Sequence, residues 1–190
     1  MAFTITLAEL LDVAVMTLAL GYIFKDIFRP PVKKHFDPLA ALKTRDYEDF
    51  KFAVMVTAPA IILHELGHKI AAVSLGLDAT FHAAYTWLAI GVILKILGTG
   101  IIFFVPAFVS ISGSMTPAMQ AIVSFAGPFV NLLLFLGSAA YLRYGKPDKT
   151  TTYFLMLTKR INLILFIFNM LPIPLFDGFK VYQGIFSTFF

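Results

Sequence analysis

The chain has 190 residues, 59% of them hydrophobic and only 14% charged, with a mean hydropathy of +0.84. A soluble domain carries about 25% charged residues, so this balance excludes an ordinary water-soluble globule and points to an integral membrane protein. The absence of cysteine excludes disulfides and thiolate metal ligands, and the formal charge of +4 flanks apolar spans, which suits membrane anchoring rather than nucleic-acid binding.

In chain order, residues 1–24 form the first apolar segment. It begins without lysine or arginine, and Glu9 and Asp12 interrupt the hydrophobic run. The expectation is a retained first membrane helix rather than a cleaved signal, with its two acids at the interface or turned to a polar interior. Residues 25–51 are polar and contain Pro30, Pro31 and Pro38; they read as a surface connector with room for an interfacial helix near 39–50. Residues 52–77 predict the second membrane helix, roughly 39 Å long at 1.5 Å per residue, with Pro59 placed to bend it.

Residues 78–117 are harder to read. The stretch 87–109 is apolar but carries Gly91, Lys95, Gly98, Gly100 and Pro106, and Ile101-Ile102-Phe103-Phe104-Val105 looks extended. A re-entrant or strand-containing hairpin is the favoured reading, with a helical hairpin or a full crossing as its competitor. Residues 118–142 predict a third helix, in which Gly127-Pro128 reads as a kink with close packing. A charged turn follows. Residues 153–178 predict a fourth helix that breaks at Pro172 and Pro174 just before Asp177, and 179–190 begin a possible further helix. The fold expected is a single membrane-embedded domain over 1–190: mainly α, a polytopic bundle of about four transmembrane segments with a re-entrant or strand-containing insertion after the second helix.

The chemistry is concentrated in His64-Glu65-Leu66-Gly67-His68, inside the second apolar span. Two histidines at this spacing differ by about 40° around a helix, so both rings leave one face, which suits one divalent metal. A glutamate beside the first is placed to activate a metal-bound water. Imidazoles and a carboxylate are costly in hydrocarbon unless paired or ligating. Depth arithmetic brings a third group to the same level. His64 lies roughly 20 Å in from Lys51, and Leu171 roughly 16 Å in from Arg160. Asp177 then completes a two-histidine, one-aspartate set with an open position.

Three pieces together, His64-Glu65-Leu66-Gly67-His68, Gly127-Pro128-Phe129-Val130-Asn131 and the stretch from Asn169 through Leu171-Pro172 to Asp177-Gly178, resemble the site-2 protease family of intramembrane zinc metalloproteases. Phe176 stands where that family usually has leucine, and Phe179 where it often has a second glycine. The resemblance implies one zinc ion held by His64, His68 and Asp177, with Glu65 as general base and then proton donor. It also implies cleavage of transmembrane protein substrates within or near the bilayer, in a multi-pass protein of the cell membrane. Asn169 and Asn131 are candidates for binding substrate backbone or a developing oxyanion, with helix bridging as the alternative.

The rival reading is a non-catalytic membrane metal-binding protein, either a transporter or a pseudoprotease that binds membrane helices. A transporter would stage polar residues along a path, whereas here they converge at one depth. Orientation stays open: the cations of 25–51 and 143–149 favour the cytosol for both loops, and the resemblance implies the opposite.

Overall fold

The computed structural model describes residues 3–29, 38–100 and 105–189. It is mainly helical: six helices and one two-stranded sheet, with four of the helices long and apolar enough to cross a membrane. Helix α1, Leu7–Phe24, starts at a capping box in which Thr6 and Glu9 bond each other's backbone N–H. Glu9 also accepts from the Phe81 backbone N–H at 2.8 Å and pairs with Lys69. The acid that interrupts the first apolar run is therefore buried and satisfied, pinning α1 to the second helix and to the first strand. Asp12 is buried likewise and bonds Tyr85.

Helix α2 runs from Pro38 to Ser74 without interruption, Pro59 included. Much of the expected connector is thus helical, and the expected second span starts and ends earlier than 52–77. Pro38 sits at the first turn, where its missing N–H costs nothing, and the polar run that follows weakens the hydrophobic signal without opposing a helix. Lys25 pairs with Asp46 at 2.8 Å, and Arg29 with Asp49 at 3.6 Å, so the polar end of α2 is tied to the end of α1. Pro30 and Pro31 of the expected connector lie outside the described residues.

The insertion is a strand–helix–strand unit. Strand β1, Asp78–Ala83, pairs antiparallel with β2, Ala107–Ser112, in a register from Asp78 opposite Ser112 to Ala83 opposite Ala107. Between them lies α3, Tyr85–Ile96, at about 18 Å too short to cross about 30 Å of hydrocarbon. The extended stretch read at 101–105 lies outside the described residues except for Val105, and the strand falls at Ala107–Ser112 instead. Gly98 and Gly100, with φ of 64° and 69°, turn the chain after α3. Lys95 pairs with Asp26 just beyond α1, and that hydrogen bond holds the Asp26 carboxyl below its ordinary range. His82 reaches Ser110 across the sheet at 3.0 Å.

Helix α4, Pro117–Tyr144, is capped by Thr116 and continues through Gly127 and Pro128. Helix α5, Lys149–Asn169, is capped by Asp148, and an irregular segment with Pro172 and Pro174 leads to α6, Asp177–Phe189. Helix α4 is central, packing on α2, α5 and α6. One apolar cluster joins Met16 and Leu20 to Ala58, Phe81 and Leu88; a second joins Ala72 and Leu77 to Val123.

Candidate metal centre

Three elements converge on one point. Helix α2 supplies His64 and His68 from successive turns, and the first residue of α6 supplies Asp177. Asp177 Oδ2 lies 3.2 Å from the Nε2 atom of each histidine, and the two Nε2 atoms lie 3.1 Å apart. Both histidines are buried, and Asp177 is largely so.

The far side of each ring fixes which nitrogen faces the centre. His68 Nδ1 lies 2.7 Å from the Val123 carbonyl oxygen, which can only accept, so Nδ1 carries the proton. His64 Nδ1 lies 2.6 Å from Asn131 Oδ1. The Asn131 amide is oriented by its other end, where Nδ2 donates to the Ala60 carbonyl at 3.0 Å and to Asn162 Oδ1 at 2.8 Å. His64 Nδ1 therefore donates as well. In the neutral rings both Nε2 atoms carry lone pairs, and with Asp177 they make three acceptors in mutual contact. Such a cluster repels itself unless a cation lies between.

The set fits a metal ion. Donors bound tetrahedrally at about 2.0–2.1 Å are separated by about 3.3 Å, close to the 3.1–3.2 Å found here. All three ligand atoms lie within 4.8 Å of one another. The rings are also held as metal-ligating histidines are, each by a hydrogen bond from its other nitrogen.

Two glycines make room for this geometry. A Cβ on Gly67 would stand 2.9 Å from the Ala126 carbonyl oxygen, so the glycine lets α4 approach the motif closely. A Cβ on Gly127 would strike His68 Nε2 and lie 2.7 Å from His64 Nε2. Gly127 therefore faces the centre itself, a stronger demand than the kink with close packing read from the sequence. Gly127→Ala is expected to displace both rings and cut zinc affinity by at least about tenfold, a loss comparable to that of removing a ring-orienting partner; titration with a competing chelator checks it.

Glu65 is buried beside His64 and lines, with both histidines and Asp177, a cavity of about 550 Å³. The cavity is walled mainly by apolar side chains of the α1 end, β2 and α5, among them Phe24, Phe108, Val109, Ile161 and Phe168. Asn169 lies on this cavity, where a substrate-binding residue is expected. Asn131 does not. It is fully buried, with both ends of its amide committed to His64, Ala60 and Asn162, so it orients the His64 ring and bridges helices, the alternative read from the sequence. Asn162, also fully buried, passes the same chain to the Thr158 carbonyl and was not singled out by the sequence. Its one signal was a polar residue inside an apolar span.

A protein of Methanocaldococcus jannaschii named "Putative zinc metalloprotease MJ0611" is 31% identical over 180 residues, which covers 94% of this chain and 85% of that one. The chain belongs to this zinc metalloprotease family. No family model matches the chain, and no solved structure matches it. The cofactor of a zinc metalloprotease is zinc, and His64, His68 and Asp177 form a group able to hold one ion.

Proposed function

We propose that this zinc metalloprotease is an intramembrane endopeptidase of the site-2 protease type, hydrolysing peptide bonds of transmembrane proteins within or near the bilayer. One observation carries the reading: the donor set and Glu65 lie together on an apolar cavity among helices long and apolar enough to cross a membrane. The outer surface supports it. Only 6% of the apolar window of α5 is buried, and Leu133, Leu136 and Ile167 are exposed, an arrangement that water would penalise and lipid would not.

When bound, zinc lowers the pKa of a coordinated water toward about 7 and polarises a carbonyl oxygen. Glu65 takes the proton from the attacking water as its oxygen bonds to the scissile carbon. Glu65 then passes that proton to the amide nitrogen as the C–N bond breaks. Asn131 and the Val123 carbonyl keep His64 and His68 in the tautomer that turns both Nε2 lone pairs to the centre, where they would be occupied as ligands, leaving Glu65 to take the proton. In this reading Asn169, which lines the cavity, holds substrate backbone.

A peptide bond inside a helix is shielded by its own hydrogen bonds, so the substrate must unwind before it reaches this centre. Strand β2 lines the cavity and has only one strand partner among the described residues, β1, so an unwound segment can pair along it by strand addition. The test is purified protein in lipid vesicles with a single-span protein substrate. Cleavage is expected within or at the edge of the substrate's apolar segment, located by mass spectrometry. Cleavage restricted to soluble peptides would overturn the intramembrane assignment.

A further inference from the structure

Four polar side chains line the cavity besides the donor set and Glu65: Thr57, Ser124, Asn169 and Lys180. Thr57 is already committed, its hydroxyl donating to the Ala53 carbonyl at 2.8 Å. Asn169 is half-buried and Lys180 exposed, so water can satisfy both. Ser124 differs from all three. It is only 7% exposed, and its hydroxyl has no hydrogen-bond partner among the described residues, not even the carbonyl one turn back that a helical serine ordinarily takes.

Its place in α4 says what the hydroxyl is near. The neighbouring residue, Val123, gives its carbonyl to His68 Nδ1, and Gly127, one turn on, is the position where a Cβ would strike both Nε2 atoms. Residues three apart share a helix face, so Ser124 opens onto the cavity beside the ligand-bearing rings. Among the described residues no fully buried side-chain oxygen or nitrogen lacks a partner, so the Ser124 hydroxyl oxygen is open to the cavity, and its proton is free to go to an acceptor on a bound ligand. The acceptor that a bound peptide offers there is a carbonyl oxygen.

We propose that the Ser124 hydroxyl donates a hydrogen bond to the scissile carbonyl oxygen as negative charge develops on it. This rests on the endopeptidase reading above. A donor with no protein partner among the described residues exchanges water for the substrate oxygen and is matched best when that oxygen carries charge, so it strengthens toward the transition state and acts on kcat more than on KM.

The test compares wild type, Ser124→Ala and Ser124→Thr, full-length in lipid vesicles with the single-span substrate. Ser124→Ala is expected to keep its zinc content and KM while kcat falls about 100-fold. Affinity for a phosphinic peptide, whose charged oxygen stands in for the developing oxyanion, falls by the same factor, and Ser124→Thr, which restores the hydroxyl, recovers most of both. Wild-type kcat or undiminished phosphinic affinity in Ser124→Ala would overturn the assignment. So would lost zinc or a raised KM alone, which would make Ser124 a packing or ground-state contact. A wild-type protein that cleaves nothing would remove the endopeptidase reading itself, a result distinct from a wild type that cleaves no better than Ser124→Ala.

Discussion

Glu65→Gln is expected to lose cleavage by about 1,000-fold while still binding about one zinc per chain. General acid–base groups contribute about 10²–10⁴-fold, and this substitution keeps the shape of the side chain while removing its capacity to take and return a proton. Zinc is retained because Glu65 is no part of the three-donor group. The separation of the two readouts is the informative part. A metal transporter using the same ligands has no reason to lose function when metal binding is intact. Zinc content by atomic absorption, measured on the same preparation as cleavage in vesicles, decides it; Glu65→Gln protein that cleaves at the wild-type rate would exclude the base assigned here.

Asp177→Asn is expected to remove zinc and activity together. The change is nearly isosteric, so α6 should still start at this residue and Gly178 should still pack its backbone face against Met170, where any Cβ would clash at 2.5 Å. What is lost is the single negative charge facing two imidazole lone pairs at 3.2 Å. Altering a mere orienting partner costs about 10–100-fold in metal affinity, so loss of a direct ligand should exceed about 100-fold. Competition with a chromophoric chelator measures it. Parallel loss of zinc and cleavage here, against their separation in Glu65→Gln, distinguishes a ligand from a base.

The donors were legible for definite physical reasons. The spacing of His64 and His68 fixes one helix face whatever the surroundings, and Pro172 and Pro174 mark where the last span must break before Asp177. The structure brings all three to one point. What the pattern could not convey was which way a side chain turns behind the first layer. Asn131 reads equally well as a substrate donor or a helix bridge until Ala60 and Asn162 are seen to hold its amide nitrogen. Gly127 reads as a kink until the ring nitrogens are found where its Cβ would be.

The fold followed the same division. Long apolar runs announced the helices of 7–24, 117–144 and 149–169; a helix near 39–50 was allowed only as a separate interfacial piece, and its continuity with the second span from Pro38 lay hidden in a polar run that carries no hydrophobic signature. The two acids of the first span were legible as a problem and not as its solution. Lys69, Phe81 and Tyr85, which satisfy them, lie at least 60 residues away in sequence. Long-range pairing of this kind leaves no local trace.

The most direct measurement is X-ray absorption at the zinc edge of the purified, zinc-loaded protein. The expected wild-type spectrum is one zinc with two imidazole nitrogens, one carboxylate oxygen and an exchangeable light-atom ligand in the remaining position, and Asp177→Asn protein treated alike is expected to retain too little zinc to give it. A third imidazole, or Asp177→Asn protein that keeps one zinc per chain with the wild-type spectrum, would contradict the centre described here.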